Sequence, residues 1–239
     1  MIPKKIHYCW YGGKAKPEIV RKCIDSWKRF NPDYQIKEWN ESNSPKHSII
    51  TSNLNKGIWA FASDYTRLFA IYEEGGFYLD TDILLVKGLD NLRNNTCILA
   101  FESIKWVNNG FCAAIPKHYF FKMCMKELSS KGHSRIKPYT SPHLTTNMLK
   151  KIKPTFVYKT QHFRDILVLN LEFFFPYNRF QTKDMKIDQL IGMLNSTSYG
   201  IHLFLHSWKD SSQNYNTVEK LILLTKKVKF KLNKIIRTI

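Results

Sequence analysis

Two aspartates separated by one residue, Asp80 and Asp82, are the most informative chemical feature of the sequence. They follow a Gly-Gly turn and the apolar run 77–79, and this pattern predicts that they lie at the carboxyl end of a sheet strand. Open α/β sheets bind ligands at that edge. Two carboxylates there can share one Mg²⁺ or Mn²⁺ ion, or one can bind the ion while the other holds a sugar or ribose hydroxyl.

Three further groups of residues have types and spacings that suit chemistry. Asp64 and Arg67 are three residues apart on a predicted helix, so they share a face and can pair with each other or with a ligand. His202 and His206 are four apart on a predicted strand, and either imidazole can complete a metal site. Trp10 ends the first predicted strand and offers a flat ring for stacking on a nucleobase. Each group also has a purely structural alternative. Asp64 and Arg67 could form an ion pair, the two histidines could be ordinary core or surface residues, and Trp10 could belong to the core.

The elements that position these residues alternate between strands and helices, which predicts the α/β class. The predicted strands are residues 5–10, 34–39, 77–79, 83–86, 98–101, 110–115 and 200–205, and the predicted helices are residues 17–30, 58–74 and 119–128. The first two strands and the helix between them predict parallel strands joined by a right-handed crossover. Residues 40–55 are polar and turn-rich, and the pattern over 131–200 is weak, with possible strand or core segments at 157–158 and 173–176.

The composition limits the class of partner. Thirty-seven basic and 19 acidic residues among 239 give a net charge of +18, which favours nucleic acid, phosphorylated small molecules or an acidic membrane surface. Five cysteines without a CxxC pair predict free thiols instead of disulfides or a zinc site. No apolar signal segment follows Met1, and no run of about 18 apolar residues occurs. We therefore expect a cytoplasmic protein that is soluble or peripheral on a membrane.

Residues 218–239 differ from the rest of the chain. Seven basic residues and one acid give this segment a net charge of +6. Most of its apolar residues fall within about 160° of one helix face, which predicts a basic amphipathic helix. Such a helix either lies on an anionic membrane surface or docks on the core of its own protein.

Four motifs, in this order along the chain, resemble glycosyltransferase family 32. They are IPKKIHYCW at 2–10, ASDYTR at 62–67, GGFYLDTD at 75–82, and His202 with the Ser-Trp pair at 207–208. The family comprises DXD-containing sugar transferases of bacterial capsule and O-antigen synthesis and fungal mannosyltransferases, and its core is similar to the glucosylating domain of large clostridial toxins. The resemblance implies a GT-A fold with a single Rossmann-like mixed sheet flanked by helices.

The resemblance also implies a division of the chain and a set of donor contacts. The catalytic domain would span 1–210, and the basic amphipathic helix, which is predicted from the composition and spacing of the tail and not from the resemblance, would span 211–239. Trp10 would stack on the nucleobase. Asp64 and Arg67 would contact the donor sugar and its phosphate region, while Tyr78 and Asp80 would hold the ribose and the sugar.

A divalent cation, Mn²⁺ or Mg²⁺, is implied in the same way. Asp82 would bind it directly, with Asp80 beside it. His202 aligns with a family histidine that serves as a third ligand, but relatives commonly carry a small residue where this chain has His206, so either histidine is a candidate.

Two weaker parts of the resemblance concern the other substrate contacts. Ser207 and Trp208 would close over the diphosphate of the donor. Asn108, Asn109 and the Ser-Pro pair at 141–142 resemble acceptor-side positions of the family.

The implied reaction is retaining transfer of a hexose or N-acetylhexosamine from a nucleotide sugar, UDP-linked by first choice with GDP-mannose as another candidate. The expected acceptor is a lipid-linked oligosaccharide at the inner face of the cytoplasmic membrane, which the basic helix would bind. No carboxylate stands out as a covalent nucleophile, so we expect front-face substitution in which the leaving phosphate deprotonates the acceptor.

Two other classes fit parts of the sequence. An aspartate-based phosphotransferase also uses D-x-D after a strand, but usually on the first strand and with a later acidic pair, and this chain has no adjacent Asp-Asp. A basic nucleic-acid-binding protein is the non-enzymatic alternative. The basic residues outside the tail are dispersed, and no known nucleic-acid motif occurs, so we expect no nucleic acid partner.

Overall fold

A computed structural model describes residues 1–131, 139–155, 157–178, 181–182 and 185–205. Its helices are α1 (Glu18–Phe30), α2 (Ser48–Asn55), α3 (Trp59–Glu74), α4 (Tyr119–Lys131), α5 (Ser141–Ile152) and α6 (Ile187–Gly192). Its strands are β1 (Lys5–Cys9), β2 (Gln35–Trp39), β3 (Gly76–Leu79), β4 (Ile83–Leu85), β5 (Cys97–Phe101), β6 (Val107–Ala114), β7 (Gln161–Phe163), β8 (Ile166–Leu169) and β9 (Gly200–His202).

The centre of the fold is a seven-stranded mixed sheet with the order β2-β1-β3-β6-β5-β8-β7. β1 is parallel to both β2 and β3, whereas β6 is antiparallel to β3. Successive side chains of β1 point to opposite faces, so Tyr8 and Cys9 belong to two different clusters of buried residues. α1 supplies Trp27 to one cluster and α3 supplies Leu68 to the other. The predicted α/β class with a mixed sheet flanked by helices is confirmed, and β4 and β9 add a separate two-stranded sheet.

The apolar spacing of α1 explains its position on the sheet. The helix begins after Pro17, and one stripe of its residues is buried: Val20, Cys23, Ile24 and Trp27. The Trp27 indole N–H donates to the carbonyl of Ile83 at 2.7 Å, which fixes the helix against β4. The predicted helix over 17–30 and the parallel pairing of its flanking strands are confirmed.

Glycines set the connection from α3 to β3. Gly75 ends the helix with φ of 64°, a value that glycine adopts without the steric cost of a side chain. At Gly76, an added Cβ would lie 2.6 Å from the carbonyl oxygen of Lys5, so only glycine lets β3 approach β1 this closely. The chain therefore passes from a buried helix directly into the strand that precedes Asp80.

Several predicted boundaries were wrong. Residues 40–55 contain α2, whose first turn is capped by the His47 ring accepting from the N–H of Ile49. Sequence reasoning missed this helix because it is short and buries few side chains, so it has no clear apolar stripe. The last described strand ends at His202 instead of 205. Residues 157–158 are exposed and form no strand. Residues 173–176 form no strand either, but Phe174 and Phe175 lie in the core, which confirms the core alternative for that segment.

The predicted C-terminal helix and the predicted division at residue 210 lie outside the described residues. Within the described ranges, no helix combines the length and the apolar character that a membrane crossing requires.

Candidate active site

Two short strands bring the acidic pair and a histidine together. β3 ends at Leu79, and the N–H of Asp80 donates to the carbonyl of Gly110 at 2.7 Å, which fixes the backbone at the strand end. The next strand, β4, pairs with β9 so that Ile83 lies opposite His202. Asp82 immediately precedes Ile83 in the chain. The pairing of Ile83 with His202 therefore places His202 beside the carboxylates of Asp80 and Asp82.

The three side chains form one compact cluster. Ligand-type atoms of Asp80, Asp82 and His202 all lie within 4.8 Å of one another. The Nε2 atom of His202 is 3.3 Å from Oδ1 of Asp82 and 3.9 Å from Oδ2 of Asp80. Its other ring nitrogen, Nδ1, accepts from the N–H of Phe204 at 3.2 Å, which orients the ring toward the carboxylates.

This cluster fits a divalent cation in both chemistry and space. Two carboxylates and one imidazole are ligands that Mn²⁺ accepts, and carboxylate oxygens also suit Mg²⁺. A Cβ added at Gly110 would lie 2.5 Å from Oδ2 of Asp80, so the bare glycine is what leaves room for that carboxylate. Asp80, Asp82 and His202 are therefore the described residues that would hold such an ion.

Arg67 is the fixed positive charge next to the cluster. It is buried on α3, with Nη2 3.1 Å from Oδ1 of Asp80 and 3.4 Å from Oδ1 of Asp64. Its Nη1 also donates to Oδ1 of Asn109 at 3.3 Å. Burial opposes ionisation of Asp80, but Arg67 and then His202 outweigh burial and lower the pKa of Asp80 to about 2. Asp80 is thus a permanent anion in a buried setting.

Tyr78 lies beneath this pair. Its side chain is 1% exposed, its hydroxyl donates to Oδ1 of Asp80 at 3.3 Å, and the guanidinium carbon of Arg67 lies 4.7 Å from its ring centroid. The contact that we predicted with a ribose remains a prediction. The described contacts of Tyr78 are those of a residue that positions Asp80.

Trp10 lies at the same edge of the sheet. The β1–β3 register pairs Ile6 with Phe77 and His7 with Tyr78, and Trp10 directly follows the end of β1 as Asp80 directly follows the end of β3. The half-buried indole donates to the carbonyl of Lys14 at 2.7 Å. Base stacking by Trp10 remains a prediction, which rests on the family resemblance and on the position of Trp10 at the end of the first strand.

A network of amides and hydroxyls adjoins the cluster on the other side. The Ser141 hydroxyl donates to Oδ1 of Asn108 at 2.7 Å and is also bonded to Oδ1 of Asn109. The Nδ2 atom of Asn109 is buried, and no residue that the structure describes accepts a hydrogen bond from it. A buried donor without a partner is costly, and because Asn109 is only 1% exposed, a ligand hydroxyl could reach this atom only if the surrounding side chains shifted.

Sequence reasoning missed Glu102. Its Oε2 accepts from Nδ2 of Asn108 at 2.7 Å, and burial raises the pKa of this carboxyl to about 7. The sequence did contain a signal for this residue. Glu102 directly follows the apolar run 97–101, just as Asp80 directly follows the apolar run 77–79.

Three predicted site residues, His206, Ser207 and Trp208, lie outside the described residues. The argument that His202 and His206 share a strand face required a strand that includes both residues, and β9 ends at His202. The described cluster therefore contains His202 alone of the two.

Comparisons with known proteins agree with this fold. The chain superimposes on the structure named PaToxG Glycosyltransferase with a TM-score of 0.53 and 20% identity, over 64% of this chain and 70% of that one. The fold is that of a GT-A glycosyltransferase. A family model described as "Glycosyltransferase sugar-binding region containing DXD motif" matches residues 17–99.

Two curated relatives strengthen the assignment. Lactosylceramide 4-alpha-galactosyltransferase from Pongo pygmaeus is 30% identical over 156 residues, which cover 63% of this chain and 68% of that protein. The protein of the same name from Rattus norvegicus is 31% identical, but the match spans only 41% of its length. The chain belongs to the family of glycosyltransferases with a DXD-containing sugar-binding region. The phosphotransferase and nucleic-acid alternatives are not supported.

Proposed function

We propose that the protein is a retaining, metal-dependent glycosyltransferase that moves a hexose or N-acetylhexosamine from a UDP-linked sugar to a lipid-linked oligosaccharide. The observation that carries this proposal is the cluster of Asp80, Asp82 and His202, with ligand atoms within 4.8 Å at the strand edge where α/β sheets bind ligands. In this proposal, Mn²⁺ or Mg²⁺ is the ion held there.

The names of the relatives support the choice of the transferred sugar and the stereochemistry. The first is called a lactosylceramide 4-alpha-galactosyltransferase, and a human alpha-1,4-N-acetylglucosaminyltransferase is a further relative, 23% identical over 80% of this chain and 53% of that protein. UDP-galactose is an α-glycosyl phosphate, so an α-linked product made from it has retained its configuration. The first name also gives a glycolipid as acceptor, which supports a lipid-linked acceptor here. The assignment to bacterial capsule or O-antigen synthesis rests on the resemblance of the four sequence motifs.

The reaction needs charge stabilisation and positioning. The bound cation would supply positive charge where the departing diphosphate gains negative charge. Arg67 keeps Asp80 ionised and oriented, and Trp10 would hold the base. The C1–oxygen bond to the diphosphate breaks, the acceptor oxygen bonds to C1 on the same face, and its proton passes to the departing phosphate oxygen. The unpartnered Nδ2 of Asn109 would donate to a sugar hydroxyl and orient it.

Asp82→Asn tests this proposal directly. The amide removes the negative charge that binds the ion, so we expect at least a hundredfold loss of Mn²⁺-dependent cleavage of a UDP-sugar, measured as release of UDP. The thermal stabilisation of the wild-type chain by UDP with Mn²⁺ should also disappear. Asp188→Asn, an exposed charge-matched control on α6, should keep both. Full activity of Asp82→Asn would refute the metal role.

We also propose that the segment 211–239 binds the anionic inner face of the cytoplasmic membrane. Its lysines would be attracted to acidic lipid headgroups. In the full chain, replacing Lys226, Lys227, Lys229 and Lys231 by glutamine should reduce co-sedimentation with phosphatidylglycerol vesicles and leave phosphatidylcholine vesicles unaffected. Unchanged sedimentation with phosphatidylglycerol would contradict the proposal.

A further inference from the structure

A cavity of about 270 Å³ opens beside the connection between β5 and β6. This volume is close to the lower end, ~300 Å³, of small-molecule sites. The lining residues are Phe101, Ile104, Lys105, Trp106, Lys150 and Tyr158. None of them belongs to the acidic cluster or to its predicted donor contacts.

The apolar lining contains Ile104 and three aromatic residues, and the aromatic rings pack against neighbouring rings. The ring centroid of Tyr158 is 5.2 Å from that of Phe101 in an edge arrangement, and Trp106 lies 4.5 Å from the ring of His143. Tyr158 and Ile104 are nevertheless 39% and 64% exposed. Rigid, accessible aromatic faces are the surfaces on which the C–H face of a pyranose ring packs.

Two lysines add positive charge to this lining. Lys105 and Lys150 are both exposed, and neither forms an ion pair within the part of the chain that the structure describes. The neighbouring Lys151 behaves differently, because its Nζ lies 2.8 Å from Oε2 of Glu127. Two ammonium groups without acidic partners at one cavity favour a ligand that carries negative charge.

The elements that line the cavity also reach the acidic cluster. Trp106 precedes β6, and Asn109, three residues later and about 10 Å along the strand, contacts Arg67. α5 carries Lys150 near its end and begins at Ser141, which binds both asparagines of the network. A ligand of two or more sugars that reaches the unpartnered Nδ2 of Asn109 would therefore extend toward the cavity.

We propose that this cavity binds the second sugar of the acceptor and selects acidic oligosaccharides. The sugar ring would pack between Trp106 and Tyr158, and Lys105 and Lys150 would pair with its carboxylate or phosphate. This inference rests on the proposed function, since it requires an acceptor whose first sugar lies beside Asn109.

Two matched pairs of probes test the selection. One pair is a hyaluronan tetrasaccharide and its carboxyl-reduced form, and the other is a phosphorylated maltotetraose and its neutral parent. Their affinities for the full chain are measured by isothermal titration calorimetry. We expect the wild-type chain to bind at least one acidic probe about tenfold more tightly than its neutral partner, which is about 1.4 kcal/mol. The preference should weaken at high salt.

The double variant Lys105→Gln with Lys150→Gln should reduce this preference to within about twofold, while Lys151→Gln should keep it. All three lysines are exposed, so these changes leave the core intact. Equal affinity for acidic and neutral probes, absence of binding by the wild-type chain, or a preference that survives the double variant would overturn the inference.

Nucleotide binding separates this inference from the proposed function. The double variant should keep the thermal stabilisation by UDP with Mn²⁺, because neither lysine contacts the acidic cluster. If the wild-type chain failed to bind UDP but still preferred an acidic probe through Lys105 and Lys150, the proposed function would fail and the cavity would remain an acidic-saccharide site.

Discussion

The two sides of the candidate site differ in how their polar groups are satisfied. On the side of β3 and α3, Asp64 and Asp80 are both paired with the buried Arg67. On the side of β6 and α5, the polar groups are amides, the Ser141 hydroxyl and the carboxyl of Glu102, and Asn109 keeps one donor unused. The first arrangement suits a ligand group with constant charge, such as a cation with a diphosphate. The second suits a hydroxyl-bearing ligand that supplies the missing hydrogen bond.

The largest effect on stability should follow from removing the positive charge of Arg67 from the side of β3 and α3. Arg67→Ala removes the cation that pairs with Asp64 and Asp80, and His202 and Tyr78 compensate Asp80 only in part, so we expect the free energy of unfolding to fall by up to about 3 kcal/mol in urea denaturation. Arg67→Lys keeps the charge but loses the branched contact with both carboxylates, and it should lose less stability. Equal stability of the alanine variant and the wild-type chain would show that Arg67 is not needed to compensate the charges of Asp64 and Asp80.

Gly110→Ala tests the point where the two sides meet. The added methyl group would lie 2.5 Å from Oδ2 of Asp80 and must displace that carboxylate. We expect the affinity for Mn²⁺, measured by calorimetry, to fall about 10- to 100-fold, because the ligand loses its orientation. Gly192→Ala is the matched control, since nothing lies within 4 Å of a Cβ there. Wild-type Mn²⁺ affinity in Gly110→Ala would exclude Asp80 from the site.

The smallest expected effect concerns Glu102 on the second side. Its pKa is raised from 4.5 to about 7 in the folded state, mainly by burial, so the folded chain holds this proton more tightly than the unfolded chain. The free energy of unfolding should therefore decrease as the pH rises from about 4.5 to about 7.

Glu102→Gln removes this contribution and keeps an oxygen for Nδ2 of Asn108. The difference in stability between the variant and the wild-type chain should therefore grow in favour of the variant up to about pH 7. Glu172→Gln, at an exposed position, serves as the control. Parallel stability curves for wild type and Glu102→Gln would mean that Glu102 titrates normally.

The first side could be predicted from the sequence because its elements are contiguous and strongly patterned. The apolar stripe of α1, the glycines after α3 and the apolar run before Asp80 each carry a local signal, and the structure confirms all three elements. Arg67 is only 13 residues from Asp80, so its position follows from one helix, one turn and one strand.

The second side depends on contacts that local patterns do not encode. α5 was missed although it begins with Ser141 and a proline in its first turn and buries Leu144, Met148 and Leu149. The proximity of His202 to the carboxylates depends on the pairing of β4 with β9, which sequence spacing does not determine. Glu102 becomes notable only through its burial next to Asn108.

The backbone N–H of Leu205 donates to Oδ2 of Asp82 at 2.9 Å, across 123 positions of sequence. At ribosomal speeds of about 5–20 residues per second, roughly 6 to 25 s separate the emergence of these two partners. Arg67, by contrast, leaves the ribosome just before Asp80 and can neutralise it at once. In the nascent chain, the arginine can therefore pair early and the histidine arrives late, so the proposed ion site can be completed only after the residues through 205 have emerged.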